Sequence, residues 1–301
     1  MDKKKAAKQI IRALDSTLST VFTAVLLLLL LFSAYIGVDN YRIVKEADST
    51  VYQAYKPVED DAESFQKLAL KNPDVIGWLT IDDTNIDYPL VQGENNETYI
   101  NKSVLGEFSL SGAIFLDSRN DTHFSDTLSV VYGHNMTGDV MFGGLDNFAD
   151  PEYFGQHLTG TLFHDGDYYR LHIFAYFTAD GHDVSVYRVG LDQQERDEWL
   201  SQIRDIAVNY KSDGSEKGPI LLMSTCAVGE TSGRTLLAAT IEAGGTPPGP
   251  RKTETISMRI LQGMTSGGEW LTWPRLLVAA LLLLALTILF YRRRNRKGGE
   301  D

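Results

Sequence analysis

A chain of 301 residues, 43% of them hydrophobic, is long enough for one globular domain of about 200 residues with segments to spare. Its 28 basic residues against 40 acidic ones leave a net charge of −12, which argues against nucleic acid as a partner. A single cysteine excludes an internal disulfide.

The charges are unevenly placed. Residues 1–17 form a basic tail with Lys3, Lys4, Lys5, Lys8 and Arg12, and residues 292–301 form another with Arg292, Arg293, Arg294, Arg296 and Lys297. Two runs carry no charge at all, Leu18 to Val38 and Leu276 to Tyr291. Each approaches the ~20 apolar residues that cross a bilayer, so 18–38 is predicted to be a transmembrane anchor. Residues 271–291 are predicted to be a second transmembrane helix, with Trp270 to Pro274 in the interface and Arg275 snorkelling. The first run exceeds the roughly 7–15 apolar residues of a signal peptide and no small-x-small site follows it, so it reads as retained. The positive-inside rule then puts both termini in the cytoplasm and the acidic segment between the spans outside.

After the anchor, residues 39–72 read as a helical lead-in. Val51, Ala54, Tyr55, Val58, Phe65 and Leu68 fall at helical spacing, in one or two amphipathic helices broken at Pro57. Asn72-Pro73-Asp74 ends that region, and 73–243 reads as the main domain. Its predicted strands are Val75–Ile81, Ile86–Val91, Ala113–Leu116, Leu128–Tyr132, Gly160–Phe163 and Tyr168–Thr178, the last two joined by the Asp165-Gly166-Asp167 turn. A short helix is expected at Met141–Phe148. Gln193 to Ala207 gives an amphipathic helix with Trp199, Ile203 and Ile206 on one side, either a plain cover for the sheet or a wall of the site. Many short strands and few helices make the fold mainly β, a closed or nearly closed barrel. Residues 244–270, opening with Gly-Gly-Thr-Pro-Pro-Gly-Pro, read as a linker to the second span.

The chemistry centres on Pro219 to Cys226, an apolar strand that ends on the sole cysteine, and on a second apolar strand that opens at Arg234. An unpaired thiol outside the membrane needs a reason, and a reactive nucleophile is one. A cysteine nucleophile works as thiolate and needs a base or cation nearby. Among six histidines, His134 follows the apolar strand Leu128–Tyr132 and stands beside Gly133, a placement that matches the strand end bearing Cys226. His123, His157, His164, His172 and His182 sit in loops, turns or mid-strand and are more simply surface or packing residues. Arg234 cannot be a base, but its guanidinium can hold a negative oxygen or a substrate carbonyl. Metal-ligand spacings such as H-E-x-x-H, C-x-x-C or an EF-hand loop do not occur.

Ser224-Thr225-Cys226 with Arg234 beyond it, Tyr132-Gly133-His134-Asn135, Val75-Ile76-Gly77-Trp78-Leu79 and Asn85-Ile86-Asp87-Tyr88-Pro89 together resemble the sortases, class B best. Gly112 to Asn120 and the helix before the cysteine strand are similar to that class as well. The resemblance runs from about Pro73 to Ile241. It implies an eight-stranded sortase barrel with N-terminal helices, here flanked by two transmembrane helices. It also implies His134, Cys226 and Arg234 as catalytic residues, with no metal or organic cofactor. Cys226 is then expected to attack a Thr carbonyl in a sorting motif near the C-terminus of a secreted surface protein or pilin. The thioester passes to an amine, from a peptidoglycan precursor or a pilin lysine. Ala227-Val228-Gly229 departs from the acidic or aromatic residue that often follows the cysteine in class B, and the second span resembles pilus-assembling sortases. Two other functions remain open: a non-catalytic peptide-binding module, and a peptidase that uses water as acceptor.

Overall fold

The computed structural model describes residues 3–58, 62–211, 216–226 and 232–248, with 281 and 283 besides. The chain divides into two units, one containing residues up to Arg42 and the other beginning at Ile43 and holding the barrel. Helix α1, Lys3–Ala47, contains the whole predicted anchor. The hydroxyls of Thr17, Thr20 and Thr23 donate to carbonyls one turn back, at 2.8–2.9 Å, so these three are satisfied within the helix. Among the described residues it is the one helix long and apolar enough to cross a membrane. The second predicted span apart from residues 281 and 283, the linker beyond 248 and the C-terminal basic tail lie outside the described residues.

A 3-10 helix, Ser49–Tyr55, follows α1 and is capped by the Asp48 side chain, which accepts from the Thr50 amide at 2.9 Å. Helix α2 spans Ala62–Lys71, so the break falls at Pro57 as expected. The lead-in is fastened to the barrel through polar bonds. Lys56 Nζ and Gln53 Nε2 each donate to Asp87 at 2.9 Å, and Asp87 also accepts from Trp78 Nε1 and Thr80 Oγ1. Tyr88 donates to the Ala47 carbonyl at 3.1 Å.

Among the described residues nine strands form one sheet: β1 Val75–Ile81, β2 Asp87–Val91, β3 Ile114–Leu116, β4 Leu128–Tyr132, β5 Thr159–His164, β6 Asp167–Asp180, β7 Asn209–Tyr210, β8 Ile220–Cys226 and β9 Gly233–Ala243. Their order is β5-β1-β2-β3-β4-β8-β9-β6, and β6 pairs back onto β5, which closes a ring of eight strands. Strand β7 adds two residues to the free side of β6. Closure removes the sheet edges that would otherwise template aggregation. The pairs β2/β3 and β4/β8 are parallel and the others antiparallel.

Strand β8 lies between β4 and β9 with Ile220 to Met223 fully buried. A strand buried on both faces reads as a continuous apolar run, which is why Pro219 to Met223 shows no alternation. One of its faces meets helix α4, Gln193–Ile206, through a core of Val130, Phe174, Leu222, Ala238, Trp199 and Ile203. The helix starts with a capping box, Asp192 accepting from the Glu195 amide and Glu195 from the Asp192 amide. Its buried side is Trp199, Leu200 and Ile203, whereas Ile206, assigned to that side from the sequence, is exposed in the last turn.

The expected helix at Met141–Phe148 is a 3-10 helix over Gly143–Ala149. Two glycines open it, which weakens a regular α-helix there. Helix α3, Pro151–Gln156, follows, with Asp150 accepting from the Glu152 and Tyr153 amides and Pro151 in the first turn.

Candidate active site

The site is built where β4, β8 and β9 end. Parallel pairing aligns Tyr132 with Ser224, and the Gly133 amide donates to the Ser224 carbonyl at 3.2 Å. Strand β4 ends two residues before His134, and β8 ends at Cys226, two residues after Ser224. On the other side Cys226 pairs with Arg234 in the antiparallel β8/β9 ladder. Adjacent strands lie about 4.8 Å apart, so Cys226 and Arg234 come together on neighbouring strand ends, and His134 follows two residues beyond the end of β4, the strand on the other side of β8.

The loop after β4 folds back on itself. The Phe142 amide donates to the His134 carbonyl at 3.0 Å, and Asn135 bridges to Met141. Gly133 is needed here, because a Cβ would come within 2.8 Å of the Phe142 ring. A Cβ on Gly143 would meet the Met136 carbonyl oxygen at 1.7 Å. The His134 ring is half-buried and held by Nε2, 2.8 Å from the Ile100 carbonyl oxygen. A carbonyl can only accept, so Nε2 carries a proton.

Arg234 is half-buried, and its Nη1 donates to the Gly233 carbonyl at 3.0 Å. The guanidinium lies over Gly181, where a Cβ would stand 2.9 Å from Nε. The turn at 180–182 is tied to this strand: the Gly181 amide donates to the Ser232 carbonyl and Ser232 Oγ donates to Asp180. Hydrogen bonds from the His182 amide and from Ser232 hold the Asp180 carboxyl below its ordinary pKa.

A second group of residues, missed in the sequence, frames the β4 and β8 ends. Tyr132 donates to the buried Asp117 at 3.0 Å, and Asp117 also takes Arg119 Nε and Nη2 at 2.9 and 2.8 Å and Asn96 Nδ2 at 3.1 Å. Burial pushes the Asp117 pKa up, but the bonds and charge of Arg119, with the Tyr132 hydroxyl, outweigh it and the pKa is lowered. Burial, then the Asp117 charge, raises the Tyr132 pKa well above its ordinary value. The Tyr132 ring stacks on Tyr187 at 6.2 Å, and the Tyr187 hydroxyl lies 2.9 Å from Ser224 Oγ. Helix α4 holds the Tyr187 loop, since Trp199 Nε1 donates to the Val186 carbonyl at 3.0 Å. The helix therefore both covers the barrel and supports a wall of this region. Local spacing gives no signal for Tyr187, whose partners Tyr132 and Ser224 are distant in sequence, and the Asp117–Arg119 pair is local but its link to Tyr132 spans 15 positions.

The other histidines are engaged elsewhere. His123 pairs with Asp165 at 2.6 Å, His172 with Glu242 at 2.7 Å and His182 with Asp180 at 3.0 Å. His157 bonds the Tyr153 carbonyl, and the buried His164 stacks on Tyr169 at 4.2 Å. Residues 227–231, with Ala227-Val228-Gly229, lie outside the described residues.

Comparison with known proteins agrees with this architecture. The sortase domain family matches residues 79–242. Sortase B of Listeria monocytogenes is 30% identical over 191 residues, covering 62% of this chain and 76% of the relative. Among solved structures, a class B sortase of Streptococcus pyogenes involved in pilus biogenesis is 39% identical with a TM-score of 0.55, covering 59% of this chain and 97% of that one. A mutant form of Clostridium perfringens sortase B is 27% identical with a TM-score of 0.60, covering 64% of this chain and 96% of that one. The closed eight-stranded ring and these matches lead to one conclusion: the chain belongs to the sortase family of cysteine transpeptidases, and the relatives it resembles are of class B.

Proposed function

We propose that this protein is a membrane-held transpeptidase in which Cys226 is the nucleophile, His134 the proton carrier and Arg234 the oxyanion donor. The observation that supports the reading is the pairing of Cys226 with Arg234 across β8 and β9, together with a β4/β8 ladder that ends at Tyr132 and Ser224, two residues before His134 and Cys226. The Cys226 thiolate attacks the carbonyl carbon of a Thr in the sorting motif, and the C–N bond breaks as His134 donates a proton to the leaving amine. Arg234 stabilises the negative oxygen of the tetrahedral intermediate. An incoming amine then attacks the thioester, gives up its proton to His134 and releases the thiolate, so the enzyme is regenerated with one amide exchanged for another.

The apolar α1 helix and its basic flank support membrane anchorage with a cytoplasmic N-terminus. The second span and a cytoplasmic C-terminus belong to the same proposal. The acceptor we favour is a lysine on a pilin-like protein, supported by the 39% identity to the Streptococcus pyogenes class B sortase involved in pilus biogenesis. A peptidoglycan-precursor amine is the competing acceptor.

The test uses the full chain in detergent with a peptide library in which one Thr is fixed and its neighbours vary. Amine-dependent ligation by the wild type, lost in Cys226→Ala, supports the reading. Ligation that survives Cys226→Ala overturns it. Cleavage without ligation at saturating amine makes the protein a peptidase, and binding with neither makes it a recognition module. Supplying a lysine peptide and a peptidoglycan-type amine in parallel separates the acceptors.

A further inference from the structure

We infer that Asp146 is a positioning residue that ties the loop carrying His134 to the strand carrying Arg234. Its carboxylate accepts from Asn135 Nδ2 through one oxygen and from Thr235 Oγ1 through the other, both at 2.8 Å. Asn135 directly follows His134, and Thr235 directly follows Arg234. The carboxylate thus links the loop after β4 to β9 by a route that does not run through β8, the strand between β4 and β9. Asp146 is itself set in the 3-10 helix Gly143–Ala149, whose first residue packs against the Met136 carbonyl. The bridge ties the loop, the 3-10 helix and β9 into a single frame.

This bridge is a specific device because both oxygens are used. A carboxylate held by two donors on different elements fixes their separation, whereas either bond alone would leave the other element free to shift. Displacement of a reacting group by about 1 Å is enough to cost a hundredfold in rate. Tyr176 of β6 also faces this carboxylate, and burial followed by the Asp146 charge raises its pKa, so it stays neutral near pH 7 and adds no competing charge.

The inference rests on the active-site reading above, and the experiment separates the two. Because Cys226 is the only cysteine, its alkylation by iodoacetamide can be followed on the full chain in detergent by intact mass across a pH series. Asp146→Leu, which keeps the branched shape with bulkier methyl ends and loses both bonds, is expected to slow alkylation about tenfold near neutral pH and to move the inflection upward, as the thiolate loses its ordered partners. Asp146→Asn should react within about twofold of wild type, because its amide can still accept from Thr235 and donate to a flipped Asn135. Loss of a through-space charge predicts the opposite pattern: an inflection moved downward, and by the same amount in both variants. That pattern, or a wild-type profile in Asp146→Leu, overturns the inference. Should Asp146→Leu fail to fold, Asn135→Ala and Thr235→Val each remove one arm. Their combined effect must then fall short of the product of the single effects, and a simple product overturns the bridge. A wild-type Cys226 inert to iodoacetamide overturns the active-site reading itself. A reactive Cys226 that responds to His134→Ala and Arg234→Ala but not to loss of Asp146 overturns only the bridge.

Discussion

The Gly133 amide donates to the Ser224 carbonyl at 3.2 Å, and this rung beyond the end of β4 ties the residue before His134 to the cysteine strand. The rung depends on a residue without a side chain, since a Cβ at position 133 would press to 2.8 Å on the Phe142 ring. Gly133→Ala is therefore expected to push the His134 loop away from β8. Turnover should fall about tenfold or more, the effect of a sub-ångström to 1 Å misplacement. Steady-state ligation assays check this, with far-UV circular dichroism verifying that the barrel persists.

Gly181 plays the corresponding part for Arg234. Added at Gly181, a Cβ would lie 2.9 Å from Nε and 3.0 Å from Cζ, so Gly181→Ala must displace the guanidinium. The displaced group is the end of a flexible side chain, so the cost to folding should be small. We expect a thermal midpoint within about 2 °C of wild type, as for a change below 1 kcal/mol. Activity should approach that of Arg234→Lys, whose point charge cannot reproduce the planar fork. Wild-type turnover in Gly181→Ala would argue against a catalytic guanidinium in this position.

The lead-in contributes acid-sensitive stability. Asp87 is 1% exposed and bonded to Lys56, Gln53, Trp78 and Thr80. Burial pushes its pKa up, but the Lys56 charge and the hydrogen bonds prevail and hold it below the ordinary carboxylate value. A depressed folded-state pKa contributes stability that is present above the unfolded pKa of about 3.9 and lost as pH falls through the folded value. Thermal midpoints should therefore drop below about pH 4, less steeply in Asp87→Asn. Lys56→Met leaves the carboxylate buried and unpaired and should cost about 3–5 kcal/mol near neutral pH, measured by thermal unfolding.

Tyr88 links the end of α1 to the His134 loop. Its hydroxyl accepts from the Met141 amide at 2.8 Å and donates to the Ala47 carbonyl at 3.1 Å, while the next amide, of Phe142, holds the His134 carbonyl. Tyr88→Phe strands the Met141 amide in a buried setting, at a cost of about 1–3 kcal/mol. The loop should open locally, so amide exchange at Met141 and Phe142 should accelerate more than exchange in β8. Uniform acceleration across the domain would instead assign Tyr88 to global stability alone.

The sequence carried the parts of this site that have local signatures. A strand buried on both faces must be continuously apolar, so β8 and its terminal Cys226 stood out, and the glycine before His134 marked a close approach that the Phe142 ring accounts for. Asp146 stayed hidden because its partner Thr235 lies 89 positions away, and no local period encodes such a pair. Tyr187 is reached only through Trp199 and Ser224, again by tertiary contact. Asp150-Pro151 is a local start signal for α3, whereas the two-residue β7 is too short to produce a pattern. Ile206 followed the helical period but lies in the last turn, beyond the core that α4 covers.

The most direct test of the account is the intact mass of the full chain after brief exposure to a Thr-containing sorting peptide and rapid acid quench. The account predicts an added mass equal to the peptide up to and including Thr, attached at Cys226, absent from Cys226→Ala and discharged by an amine. An adduct at another residue, or ligated product formed by Cys226→Ala, would contradict it.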